Sequence, residues 1–276
     1  MVGDQLVDLL EIIKNQYNTT YLEDAQIDNL EDKNFFKQHM LEGYEKLQSL
    51  NNKYHNKPAL IMGLGPSLFE TNQASHRDDI KFTCNHFHMV PDFFDKDMKP
   101  DYWCAANSYD ELKDPFQFCM KKNIKSIVTI PIRKEFVKLL KMSKTKLVYP
   151  WMWEQKIFQI ALAQKYGIKK AYSHCNTITN HMIAYALWMG CNPINVTGFD
   201  LSHNQALEKY GSTHAGFTDS RVKTDKSIHG SAALDNPAMR KQIMADLKYL
   251  CFIANKNNIK INNMSYRSNK LPETLS

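Results

Sequence analysis

The residues in this chain best suited to chemistry are glycines, small hydroxyls, asparagines and carboxylates that follow short apolar runs. The sharpest case is Gly63-Leu64-Gly65-Pro66-Ser67-Leu68, directly after Pro58-Ala-Leu-Ile-Met62. Backbone N–H groups approach a phosphate closely only where no side chain intervenes, and glycine also tolerates positive φ; Gly63 and Gly65 provide both. Pro66 suits a first helical turn, and the Ser67 hydroxyl with its adjacent amides could hold a phosphate or ribose oxygen. The turn is not GxGxxG and has no Walker lysine, which disfavours a dinucleotide dehydrogenase and a P-loop ATPase. A tight packing turn with no ligand would use the same glycines.

Ligands of open α/β sheets bind beyond the carboxyl ends of the strands, so residues just after each apolar run come next. These are Asn85, Asn107 and the triplet Gly198-Phe199-Asp200. Thr177, Thr179 and Asn180 open a helical stretch, where amides and dipole favour an anion. Capping and turn formation explain each Asn or Thr equally well taken singly. Asp101 and Asp200, with Asp235 as a third candidate, could hold Mg²⁺ on nucleotide phosphates, and helix or turn capping is their alternative. His203, His214 and His229 lie in a polar stretch between Asp200 and Asn236. So long a connection in a compact domain is expected to be a lid or binding loop. His86, His88, His174, His181 and His203 default to packing or surface roles.

The elements that must position these residues are legible as alternating patterns. Strands are expected at Pro58–Met62, Lys81–Cys84, Tyr102–Ala105, Ser126–Ile130, Ile194–Thr197 and Ile259–Ile261. Helices are expected over Glu154–Tyr166, ending at Gly167, over Thr177–Met189, ending at Gly190, and over Pro237–Asn255. Alternation of this kind implies an α/β fold, a Rossmann-like, mostly parallel sheet flanked by helices. Apolar residues at helical spacing in Leu6–Ile13 and Phe35–Leu47 add an N-terminal helical extension, residues 1–54, either a partner-binding arm or a cap on the core. The main, nucleotide-binding domain is then 55–276, with a lid over 201–236. Trp151 and Trp153 could floor a sugar site or pack in the core, and packing is the safer reading.

Composition narrows the class. Hydrophobic residues make up 43% and charged residues 23%, as in ordinary globular proteins. The formal charge of +6 comes from lysines and arginines scattered along the sequence rather than gathered in a stripe, so no nucleic-acid partner is expected. An anionic donor or a peripheral contact with an anionic membrane suits that charge, and the N-terminal helices could serve a homo-oligomer. The six cysteines match no zinc motif and are expected to be reduced and mostly buried. Residues Met1–Gln16 do not read as a signal peptide, and no apolar run reaches the roughly 18 residues of a spanning helix, so a cytoplasmic location is expected, possible contact with the inner membrane being peripheral.

Ala59-Leu-Ile-Met-Gly-Leu-Gly-Pro-Ser-Leu68, Lys99-Pro-Asp101, Gly198-Phe-Asp-Leu201 and Thr213-His-Ala215 together resemble the MptE-like family (domain of unknown function 115). They also resemble the related bacterial sialyltransferases of glycosyltransferase family 42. The resemblance runs from about Pro58 to Ile261. It implies an inverting glycosyltransferase that moves a CMP-activated acidic sugar (sialic acid, another nonulosonate or Kdo) to a glycan or protein acceptor, with no cofactor required. In that reading the Gly63–Ser67 turn and Asn85 hold the CMP part, Thr179 and Asn180 match a Thr-Ser pair near the donor sugar and phosphate, and Gly198 and Asp200 shape the nucleotide pocket. The match at Asn180 is a substitution.

The resemblance also implies a histidine base. His229, in Ser227-Ile-His-Gly230, matches that base with one extra residue after the serine, and His214 matches the Thr-His-Ala of the MptE-like proteins. A histidine titrating near pH 6.5 suits removal of the acceptor proton. The same family implies an alternative, a 6-hydroxymethyl-dihydropterin diphosphokinase using ATP and Mg²⁺ with Asp101 and Asp200 on the metal. A non-catalytic nucleotide-binding scaffold is a second alternative. No basic residue adjoins the Gly63–Ser67 turn, which favours a nucleoside-monophosphate leaving group over a triphosphate.

Overall fold

The computed structural model describes residues 45–90, 98–105, 109–129, 148–151, 156–169, 177–199 and 237–265, with isolated positions at 31, 34, 38, 42 and 94. Seven strands lie in this region: β1 (Ala59–Met62), β2 (Ile80–Cys84), β3 (Tyr102–Ala105), β4 (Lys125–Thr129), β5 (Val148–Trp151), β6 (Ile194–Thr197) and β7 (Ile261–Asn263). They form one parallel sheet in the order β5-β4-β3-β2-β1-β6-β7. The chain therefore steps outward from β1 to β5, returns beside β1 as β6, and the strand order reverses between β1 and β6. That reversal is where doubly wound sheets open a crevice at the carboxyl edge.

All four residues of β1 and of β3 are buried, as expected of strands covered on both faces. The helices are α1 (Tyr109–Lys122), α2 (Lys156–Lys165), α3 (Ile178–Trp188) and α4 (Pro237–Lys256). Met182 through Met189 are all buried, so α3 is a core helix rather than a surface one, packing on β1, β2 and β3 with α4 outside it. Gly167 and Gly190 take φ of 63° and 77° just past α2 and α3, the left-handed closure expected of them.

The stretch ahead of β1 is tied to the far end of α3. Leu47 and Leu50 are buried, and the Leu47 carbonyl accepts from the Trp188 indole at 2.8 Å. Asn52 and Tyr54 donate backbone bonds to the carbonyls of Trp188 and Met189, so the last carbonyls of α3 are capped by this segment. The Leu6–Ile13 pattern and the 201–236 loop lie outside the described residues.

Two elements escaped the sequence reading. Strand β5 contains Pro150, which interrupts the pattern of a central strand but is tolerated here because β5 is an edge. Helix α1 contains Pro115 in its seventh position, a residue that ordinarily ends a helix, yet Phe116 and Cys119 bury one of its faces. Strand β7 starts two residues later than expected, at Ile261, because Asn258 (φ 57°) still belongs to the turn leaving α4.

Candidate functional site

The carboxyl ends of β1 and β6 meet at Gly63 and Gly198. Gly63 donates to the Thr197 carbonyl at 2.9 Å and Gly65 to the Gly198 carbonyl at 2.8 Å, extending the β1–β6 ladder past both strands. Gly63 is required by this contact: a Cβ on it would fall 2.3 Å from the Gly198 oxygen. Positive φ is needed at Gly198 (65°), whereas Gly65 sits in extended backbone at φ −70°. The expectation that Gly63 and Gly65 present free amides to a phosphate is thus corrected, since both amides are spent on β6. Pro66 begins a short 3-10 turn, Pro66–Glu70, as expected for a first helical turn.

Ser67 is buried, and its hydroxyl accepts from the Gly198 amide at 3.2 Å. It therefore braces the turn against β6. Thr71 and Thr197 bridge the same elements through their hydroxyls at 2.7 Å. Phe199 donates its amide to the Ser265 hydroxyl at 3.1 Å, which ties the end of β6 to the residues after β7.

Asn85 leaves β2 beside this turn. It takes φ of 42°, a left-handed conformation that asparagine tolerates better than other side-chain-bearing residues. Its amide donates to the Cys104 carbonyl at 3.1 Å, and its carbonyl accepts from the Trp103 indole at 2.8 Å. The backbone is thereby clamped on both sides to β3, while the side-chain Oδ1 is buried with no hydrogen-bond partner. A buried acceptor left without a donor costs about 1–3 kcal/mol, so this atom asks for a ligand N–H or O–H.

His86 and His88 follow on the next turn, their rings 6.0 Å apart. Burial and the neighbouring His86 hold His88 below its usual pKa, with Asp114 of α1 opposing, so His88 favours the neutral form. Packing or surface roles are expected of both histidines, and the His88 ring lies against Phe118 of α1 at 6.2 Å. Its Nδ1 is also buried without a partner.

The remaining candidates separate. Thr177 is the N-cap of α3, its side chain accepting from the Asn180 amide at 3.2 Å. Asn180 is fully buried, and its Nδ2 donates to the Ile243 carbonyl of α4 at 3.1 Å. That bond joins α3 to α4, while Oδ1 of the same amide is buried with no hydrogen-bond partner. Thr179 is buried on the same turn. Asp101 precedes β3, so it lies at the amino edge of the sheet, and its carboxylate accepts from the Lys81 amide at 2.9 Å. It is a strand-end brace at the pole opposite Gly63, which corrects its assignment beside Asp200 as a Mg²⁺ ligand. Asn107, Asp200, His214 and His229 lie outside the described residues.

The five described cysteines, Cys84, Cys104, Cys119, Cys191 and Cys251, are free and buried, as expected. Burial pushes Cys84, Cys191 and Cys251 up to about 12 and Cys104 well above its ordinary value. They are packing residues rather than nucleophiles at neutral pH. Among the described residues no helix is long and apolar enough to cross a membrane.

No curated protein matches this chain. Among solved structures it is similar to the sialyltransferase CstII from Campylobacter jejuni, determined with the substrate analogue CMP-3FNeuAc, at 16% identity and a TM-score of 0.43, covering 77% of this chain and 82% of that one. It is also similar to the MAf glycosyltransferase from Magnetospirillum magneticum AMB-1, at 16% identity and a TM-score of 0.35, covering 55% of this chain and 24% of that one. The family model described as 6-hydroxymethylpterin diphosphokinase MptE-like matches residues 33–206, more than half of the chain, and the protein belongs to the MptE-like family.

Proposed function

We propose that this protein is a nucleotide-dependent transferase, an inverting glycosyltransferase whose donor is a CMP-activated acidic sugar. The observation that carries the reading is Asn85: a backbone held left-handed by two bonds to β3, and a buried acceptor with no partner, one strand from the β1–β6 reversal. A nucleotide supplies the missing donor from an exocyclic amine or a ribose hydroxyl. The Pro66–Glu70 turn, which in this reading would face the donor phosphate, carries no lysine, and that suits a monophosphate leaving group.

In the reaction an acceptor hydroxyl attacks the anomeric carbon of the donor. The bond from that carbon to the phosphate oxygen breaks, CMP leaves with the bonding electrons, and His229 takes the acceptor proton. His214 is the alternative base. No cofactor is required in this scheme.

The family description favours a second reading, a diphosphokinase for 6-hydroxymethylpterin using ATP. It would need Mg²⁺ on phosphates near the carboxyl edge, and Asp101 does not fit that role because its carboxylate sits at the amino edge on Lys81. A thermal-shift panel of CMP, CMP-sialic acid, CMP-Kdo, UDP-sugars and ATP, each with and without Mg²⁺, separates the two. Saturation a hundredfold over Kd adds about 2.7 kcal/mol to stability, which is readily seen. A shift with CMP compounds that ignores EDTA supports the glycosyltransferase, and an ATP-selective shift that needs Mg²⁺ rejects it in favour of the kinase.

A further inference from the structure

Lysines that are scattered in the sequence converge at the amino edge of the sheet, the pole opposite the Gly63–Gly198 contact. All seven strands are parallel and the helices return between them, so strand starts and helix ends share that edge. Exposed Lys53, Lys57, Lys121, Lys122, Lys256 and Lys260 all lie there. Their nearness is set by specific contacts. The Lys53 ammonium is 5.6 Å from the Tyr54 ring, the Tyr54 and Tyr102 hydroxyls are 2.9 Å apart, and the ammonium of Lys125, the first residue of β4, is 5.1 Å from the Tyr102 ring. On the other side the Lys57 carbonyl accepts from Asn192, whose side chain accepts from the Lys260 amide at 3.1 Å. Lys256 closes the row, donating to the Gly167 carbonyl beyond α2 at 3.2 Å.

The acidic groups on this edge do not balance the row. Among the described residues they are Asp78, Asp79 in its 2.7 Å pair with His76, and Asp101 on the Lys81 amide, with Glu45 offset by its neighbour Lys46. Helix ends attract lysines through the dipole, and that accounts for Lys121, Lys122 and Lys256. It does not account for Lys53, Lys57, Lys125 and Lys260, which lie outside the helices. From β4 to β7 the edge spans five strand spacings, about 24 Å. One turn before the end of α4, Phe252 is 54% exposed and stands four residues from both Lys248 and Lys256, each exposed on the same helix face.

We propose that this edge docks on an anionic phospholipid surface. Compact ammonium groups across a broad face suit diffuse attraction to lipid phosphates, and an exposed phenylalanine between lysines suits burial at the headgroup boundary. Docking this way leaves the carboxyl edge, with Asn85, turned to the aqueous phase and open to a soluble donor.

The test is co-sedimentation of the full chain with vesicles of 70% phosphatidylcholine and 30% phosphatidylserine, against vesicles of phosphatidylcholine alone. Binding to the anionic vesicles only, released as salt rises from about 0.1 to 0.5 M, is the expected result. The triple variant Lys53→Glu, Lys57→Glu, Lys260→Glu lowers the partition coefficient about a hundredfold. Lys113→Glu, about 13 Å up α1 from Lys122, leaves it unchanged. Equal binding to both vesicles, or to neither, overturns the proposal, as does binding of mixed-sequence single-stranded RNA in place of vesicles. The salt titration of the unaltered protein decides the question even if the triple variant does not fold, and none of these outcomes bears on the transferase reading.

Discussion

A methyl group on Gly63 would lie 2.3 Å from the Gly198 carbonyl oxygen, and one on Gly198 would lie 2.1 Å from that of Gly63. Both obstacles are backbone at the junction of β1 and β6, so neither can swing aside as a side chain would. Gly63→Ala is expected to cost about 3 kcal/mol, and Gly198→Ala more, because φ of 65° adds its own strain. Urea unfolding of the two variants checks the size and the order.

Asn85 separates binding from stability. Its Oδ1 makes no internal bond, and glycine accepts φ of 42° without strain. Asn85→Gly should therefore keep the melting temperature within a few degrees while weakening nucleotide binding about tenfold, the worth of one net hydrogen bond to a buried acceptor. A thermal-shift titration reads both quantities, and unchanged affinity would remove Asn85 from the site.

The α3 cap predicts the reverse pattern. Thr177→Val removes the acceptor of the Asn180 amide and should destabilise the fold by about 1 kcal/mol. Thermal unfolding measures that loss, and nucleotide affinity should hold if Thr177 caps the helix and does nothing else.

Alkaline pH should weaken the fold through its thiols. Folded values near 12 for Cys84, Cys191 and Cys251 stand above the ordinary 9.0 of an exposed thiol. A raised folded pKa means the stabilisation is complete below about pH 9 and is lost as pH climbs from there toward 12, by up to about 1.4 kcal/mol per pH unit for each thiol. Urea midpoints at pH 8, 9 and 10 should fall progressively, and a thiol reagent should label these cysteines only on unfolding.

His88 acts at the other end of the scale. Its folded pKa lies below 6.5, so the stability it contributes is present above 6.5 and lost as pH falls through the lowered value. Proton NMR of the imidazole should show a midpoint under 6.5, and His88→Gln should flatten the stability profile in that acid window.

Strand positions, the glycines closing α2 and α3, and the buried thiols were legible in the sequence because each depends on local pattern: apolar runs, a left-handed residue after a helix, cysteines with no partner spacing. Strand β5 and helix α1 were not, because Pro150 and Pro115 break those patterns and are tolerated only where the fold supplies an edge or a buried face. The sequence also marked Gly63, Ser67, Asn85 and Gly198 as one region, since all follow strands.

What each of them does was decided by tertiary contact. Parallel pairing of β1 with β6 turned the Gly63 and Gly65 amides and the Ser67 hydroxyl inward, while the side chain of Asn85 kept a buried acceptor with an unmet bond. Parallel pairing of all the strands sent Asp101 to the far pole and drew lysines from three separate stretches, residues 53–57, 121–125 and 256–260, onto one edge. A sequence states residue types and spacings along the chain. Which donors meet which acceptors, and which charges become neighbours, depends on strand order, and strand order is set by the core as a whole.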